Sequence, residues 1–187
     1  MSKTILITGS TDGIGKLAAT KLAKDGYQVY IHGRNKEKLQ TVIQQIKAAS
    51  GNQNIDGFIA DFSDLDAVSK MADDIKSKMS KIDVLINNAG IFKTSMTKGY
   101  KGFDIRLVVN YLAPYVLTNA ILPLLLKGDK TRIVNLSSAA QSHVTDAAMA
   151  GMDIRNASEA YAQSKLALTM WSFNFAKQHN TISVIAV

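Results

Sequence analysis

The chain has 187 residues, 47% apolar and 20% charged, enough for one α/β domain with its own core and too few for two. It has no cysteine, which excludes disulfides and thiolate metal sites and fits a reducing cytoplasm. The formal charge of +7 comes largely from lysines scattered singly over predicted helices, such as Lys36, Lys38 and Lys47. No Arg-rich block with interleaved aromatics occurs, so a nucleic-acid partner is not expected.

The N-terminus runs from Met1 straight into the short apolar run Ile5-Leu6-Ile7, too short for a secretory signal. The longest apolar patch, Ile121 to Leu126, contains Pro123 and is far below the length of a membrane span. The expectation is a cytoplasmic chain without a membrane segment.

Short β-branched runs alternate with longer amphipathic stretches. Strands are predicted at Thr4–Thr8, Gln28–His32, Gly57–Ala60, Val84–Asn87, Arg132–Leu136 and Ser183–Val187. Helices are predicted at Ile14–Lys24, Lys36–Ala49, Leu65–Met79, Gly102–Leu126 and Glu159–Lys177, with Pro114 a kink or break in the fourth. The alternation implies right-handed βαβ units: a doubly wound parallel sheet with helices on both faces, in a single Rossmann-like domain of six strands. Two long loops, Ala89–Tyr100 and Ala139–Ser158, follow strands, where open parallel sheets bind their ligands.

Thr8-Gly9-Ser10-Thr11-Asp12-Gly13-Ile14-Gly15 joins the first strand to the first helix. Gly9 permits the tight turn, Gly13 lets the backbone approach a phosphate, and Gly15 allows close packing of helix on strand. The N–H groups of the first helical turn offer an anion site. The spacing is G-x-x-x-G-x-G rather than G-x-G-x-x-G. The plainer reading is a purely structural turn, which the strand–turn–helix setting disfavours.

Further along, Tyr161 and Lys165 stand four apart on one face of a predicted helix. An ammonium beside a phenol favours phenolate and lowers its pKa, so that the tyrosine can trade a proton with a carbonyl or alcohol. Asn87-Asn88-Ala89-Gly90 ends the fourth strand, Ser137-Ser138 ends the fifth, and Asn110 lies inside a long helix where asparagine is disfavoured. Each has a plainer reading as a turn, a cap or a solvated residue. No His/Asp/Glu grouping has metal-ligand spacing, so no metal is expected. Among the histidines, His143 lies in a long loop, and His32 and His179 have weaker claims.

TGSTDGIG, NNAG, the helical asparagine, VNLSS and YAQSK stand in the order found in short-chain dehydrogenases/reductases, which the chain resembles over essentially its whole length. The wide gap between Ser138 and Tyr161 and the stretch NYLAPYVLTN resemble the retinol-dehydrogenase-like branch. The resemblance implies an oxidoreductase passing hydride between a nicotinamide and a carbonyl or alcohol. Tyr161 would be the general acid/base, Lys165 would hold the nicotinamide ribose and lower the tyrosine pKa, Ser138 would hydrogen-bond the substrate oxygen, and Asn110 would support a water leading from Lys165 to solvent. The cofactor would lie on Gly9, Ser10, Thr11, Gly13, Ile14 and Gly15, with Asp61 and Phe62 flanking the adenine and Asn88, Ala89 and Gly90 close to the adenosine ribose. At the end of the second strand Gly33 stands where NAD users tend to carry an acid, and Arg34, followed by Asn35, suits a 2′-phosphate. NADP(H) is therefore favoured over NAD(H). Many NADP-preferring relatives carry a basic residue just before the second glycine, where this chain has Asp12.

The resemblance also implies a homodimer or homotetramer, joined through Gly102–Leu126 and Glu159–Lys177. Family members usually continue past the sixth strand with a Pro-Gly turn, further helices and a seventh strand. The expectation is thus a catalytic core cut short after Val187, or a short form that binds nucleotide without catalysis.

Overall fold

A computed structural model describes residues 2–152 and 156–187. Six strands, β1 (Thr4–Ile7), β2 (Gln28–Gly33), β3 (Ile55–Ile59), β4 (Val84–Asn87), β5 (Arg132–Asn135) and β6 (Ser183–Ala186), form one parallel sheet in the order β3-β2-β1-β4-β5-β6. The winding reverses between β1 and β4, so the connections that leave these adjacent strands run to opposite faces of the sheet and open a crevice at their carboxyl ends.

Side chains of β1 alternate between the two faces, and all four of its residues are buried. Ile5 and Ile7 pack with Val29, Ile31, Leu39, Ile43 and Ile46 on the face covered by α1 (Gly13–Lys24) and α2 (Lys36–Ser50). Leu6 packs on the other face with Val68, Ile75, Leu117, Leu168 and Phe175, beneath α3 (Leu65–Lys78) and two later helices. The sheet and helices α1 to α3 thus match the sequence expectation, with element ends shifted by a residue or two.

The expected helix Gly102–Leu126 is a series of shorter pieces. Lys101 and Gly102 have positive φ (50° and 84°), which no right-handed helix allows, so the chain is still turning at Tyr100–Gly102 and no continuous helix begins there. Helix α4 (Ile105–Leu107) starts only after Asp104, whose carboxylate caps Arg106 N–H. It runs into a π-turn, Val108–Leu112, then α5 (Ala113–Ala120) and α6 (Leu122–Leu125). In an α-helix the Pro114 ring would press on the Asn110 carbonyl and return no N–H to it. The chain widens one turn earlier, and Ala113 N–H bonds Val108 five residues back. Pro114 itself opens α5 without a break.

The second long loop contains a short helix, α7 (Asp146–Met149), capped by Thr145. The part of the expected Ala139–Ser158 loop from Asp153 to Arg155 lies outside the described residues. Helix α8 (Ala157–Gln178) follows, capped by Asn156. Among the described residues no helix is long and apolar enough to cross a membrane.

Candidate functional site

The glycine turn after β1 and the turn after β4 meet at the crevice and are stitched together. Thr8 Oγ1 accepts from the N–H groups of Asn88 (3.1 Å) and Ala89 (3.0 Å). Asn88 Nδ2 donates to the carbonyls of Thr8 (2.9 Å) and Gly9 (2.8 Å). Gly9 has φ 61°, and a Cβ there would lie 2.7 Å from Ala89 Cα. A Cβ at Gly15 would overlap Asn88 Nδ2 of the second turn and lie 2.6 Å from the Gly9 carbonyl oxygen. Both glycines are therefore required by contact between the two turns. At Gly13 a Cβ would meet nothing within 4 Å, so the backbone there faces open space.

His32, near the end of β2, holds this turn from beneath. Its Nδ1 accepts from Gly9 N–H (3.0 Å), and its Nε2 faces the Ala60 carbonyl at 3.0 Å. A carbonyl only accepts, so Nε2 carries the proton and the ring is neutral. Burial pushes the imidazole pKa down to about 4. The ring stacks on Phe62 at 4.3 Å. His32 N–H donates to Ser10 Oγ (2.9 Å), which donates to the Ile7 carbonyl (2.7 Å).

A cleft of about 710 Å³ opens over these turns, a volume typical of cofactor sites. Of the residues expected to hold a cofactor, Gly9, Thr11, Gly13, Ile14, Gly15, Arg34, Asp61, Phe62, Asn88, Ala89 and Gly90 line it. Ser10, Asn35, Tyr161 and Lys165 do not. Ser10 is buried in the bonds just described, and Asn35 accepts from Lys38 N–H as the cap of α2. Gly33 lines the cleft, and a Cβ there would overlap Thr11 Cγ2. Asp12 caps α1 through Gly13 N–H and pairs with Lys38 Nζ at 2.7 Å. The Lys38 hydrogen bond and the Gly13 N–H hold its carboxyl below the usual range. Its negative charge at the cleft mouth is thus matched by an ammonium from α2.

At the cleft's far end a methyl group on Gly90 would lie 3.5 Å from Lys165 Nζ and 3.3 Å from Asn110 Oδ1. Lys165 is buried, donates to the Leu136 carbonyl (2.6 Å), and has its Nζ 5.7 Å from the Tyr161 ring centre. Burial pulls its pKa down to about 8. Asn110 sits in the π-turn. Its Oδ1 accepts from Ile91 N–H (2.8 Å), and its Nδ2 donates to the Ile91 carbonyl (3.0 Å) and to Ser164 Oγ (2.9 Å). Ser164 Oγ in turn donates to the Tyr161 carbonyl (2.7 Å). The two serines differ. Ser137 Oγ is tied to Thr169 Oγ1 (2.6 Å) and to the Lys165 carbonyl (3.3 Å) on α8, whereas Ser138 Oγ accepts one bond, from Ala140 N–H (3.1 Å).

Residues 3–187 match the family described as short chain dehydrogenase. The chain belongs to this family. It is 33% identical over 178 residues to human retinol dehydrogenase 11, covering 94% of this chain and 56% of that protein. It is 33% identical over 180 residues to human polyprenol dehydrogenase, covering 92% of this chain and 54% of the relative. The chain thus spans about half the length of these relatives. A short chain dehydrogenase of Escherichia coli CFT073, solved with NADPH, superposes with a TM-score of 0.80 at 31% identity, covering 98% of this chain and 75% of that one. The oxidoreductase family and the Rossmann-like fold stand on these matches together with the sheet order.

The structure gives a place to His32, whose claim the sequence left weak, and adds Arg106, which no motif marks. His32 and Arg106 are both buried polar groups set in otherwise apolar runs, Val29–Ile31 and Leu107–Val109. That setting is the signal that could have found them. Ile91, Lys93, Thr94, Met96, Ile105 and Val109 also line the cleft.

Proposed function

We propose that the protein is an NADP(H)-dependent oxidoreductase acting on a carbonyl or alcohol, with Tyr161 as the proton donor and acceptor. The observation that carries this reading is continuity: Gly90, in the wall of the nucleotide-sized cleft, lies against Lys165 Nζ, which lies over the Tyr161 ring.

The glycine turn and the first N–H groups of α1 hold the phosphates. Asp61 and Phe62 flank the adenine. Gly33 leaves no carboxylate to meet an adenosine 2′-hydroxyl, and Arg34 at the rim takes a 2′-phosphate. Solution of the E. coli relative with NADPH accords with that choice. The bound nicotinamide donates or accepts the hydride. Lys165, ammonium below about pH 8, holds the ribose and favours the phenolate of Tyr161. Ser138, whose hydroxyl is less engaged than that of Ser137, hydrogen-bonds the substrate oxygen. Tyr161 delivers a proton to that oxygen in reduction and removes it in oxidation.

The test is a fluorescence titration with NADPH and NADH in parallel, followed by turnover of carbonyl compounds. Tight NADPH binding, weak NADH binding and loss of turnover in Tyr161→Phe are expected. Equal affinities would sink the cofactor assignment, and an active Tyr161→Phe the role of the tyrosine.

A further inference from the structure

Ile91 and Phe92 leave the Asn88–Gly90 turn without regular secondary structure, yet the opposite helical segment grips both. Asn110 takes the N–H and the carbonyl of Ile91. Arg106 Nε donates to the Phe92 carbonyl at 2.8 Å, and its Nη1 meets the Asp104 carboxylate at 3.2 Å. Arg106 is only 4% exposed. A guanidinium so buried must find partners or be strongly destabilising. Asp104 supplies the charge and Phe92 the remaining acceptor, so the loop is fixed at the point where Arg106 needs it.

The consequence lies one side chain further on. The Phe92 ring stands 4.9 Å from the Tyr161 ring, tilted by 57°, a favourable aromatic geometry. Phe92 is nevertheless 41% exposed, so much of it remains open beside the phenol. An exposed ring held by a buried charge is a poor way to build a core and a good way to build one wall of a binding site.

We propose that Arg106 is a positioning residue that sets Phe92 against Tyr161, and that Phe92 is an apolar wall selecting carbonyl compounds with a ring next to the reacting carbon. The substrate half rests on the reading of Tyr161 as proton donor; the Arg106–Phe92–Tyr161 link does not.

The link is read by NMR on protein carrying ¹³C-labelled tyrosine, with the Tyr161 signal identified by its loss in Tyr161→Phe. Phe92→Ala removes the neighbouring ring current and moves that signal. Arg106→Met is expected to move it in the same direction, leaving the other tyrosine signals in place. An unmoved Tyr161 signal in a folded Arg106→Met overturns the link. Should Arg106→Met fail to fold, Arg106→Lys takes its place: one ammonium cannot serve Asp104 and Phe92 with the same geometry, and the same displacement is expected. The wall is read with isatin, a ring-bearing carbonyl, and diacetyl, a small aliphatic one, each titrated into the protein with NADP⁺, which cannot reduce them. Isatin is expected to perturb the Tyr161 signal and to bind about ten-fold more weakly to Phe92→Ala, the loss of one aromatic contact. Diacetyl affinity is expected to be unchanged. Equal weakening for both compounds, or no perturbation by isatin, overturns the wall. Retained turnover in Tyr161→Phe would overturn the parent reading while leaving the NMR link intact.

Discussion

Replacing His32 with phenylalanine tests how the glycine turn is held. Phenylalanine preserves the stack on Phe62 but returns nothing to Gly9 N–H or the Ala60 carbonyl. Each buried group left without a partner costs about 1–3 kcal/mol, so the variant is expected to be clearly less stable at pH 7. The gap should depend on pH. Burial holds the folded imidazole at about 4 against 6.5 in the unfolded chain. Between those values the unfolded chain binds a proton that the folded chain refuses, so stability falls as pH falls through the window, and the linkage contribution is complete above 6.5. At 1.36 kcal/mol per unit, the loss reaches about 2 kcal/mol by pH 5 and about 3 kcal/mol by pH 4. His32→Phe has no such group, so the wild-type advantage should shrink by about 2 kcal/mol from pH 7 to pH 5. Urea unfolding followed by Trp171 fluorescence resolves this, since 2 kcal/mol corresponds to a midpoint shift of about 1 M. The other titrating groups are common to both proteins and cancel in the difference. Midpoints that run parallel across this range would refute a buried neutral His32 beneath the turn.

Arg34→Ala is expected to weaken NADPH binding by about ten-fold and to leave NADH binding unchanged, because only a 2′-phosphate draws on the guanidinium; an equal loss for both would remove Arg34 from the cofactor assignment. Gly9→Ala combines a left-handed φ with a Cβ 2.7 Å from Ala89 Cα, and should destabilise by about 2–4 kcal/mol and abolish NADPH binding; a wild-type Tm would show that the two turns are not in contact. Lys165, its pKa pulled down by burial, should titrate in ¹³C-lysine NMR with a midpoint near 8, its signal assigned with Lys165→Met. A midpoint above 10 would mean that the ammonium stays hydrated and is not set beneath the tyrosine.

The sheet was legible because its strands carry their own signature. Ile5-Leu6-Ile7 is apolar on both faces, as a central parallel strand must be, and Gly9 and Gly15 mark where two turns touch. Adjacency at the cleft was legible for a related reason: the residues that line it end neighbouring strands, so sheet order alone brings Gly13, Arg34, Asp61 and Gly90 together. The fourth helix was not legible in the same way. Its hydrophobic period runs unbroken across Asp104 to Leu126, but the widened turn at Asn110 depends on how a proline ring is accommodated, which periodicity does not report.

Residues that act through a second residue were the least visible. Nothing in the local sequence of Ser10 distinguishes a side chain facing the cleft from one bonded to Ile7 and His32 beneath it. For His32 and Arg106 the sequence gives only the anomaly of a polar residue in an apolar run. Whether such a residue is a ligand, a relay or a strut depends on which atoms face it. Here the atoms are main-chain groups of the site's own turns, Gly9, Ala60 and Phe92, and a side chain committed to backbone groups of a turn cannot also be given to substrate. That division of labour has a physical basis. A charged or titratable group held to the backbone spends its own bonds on fixing a turn, so contact with a ligand falls to other residues that line the cleft, among them Gly13, Arg34 and Gly90.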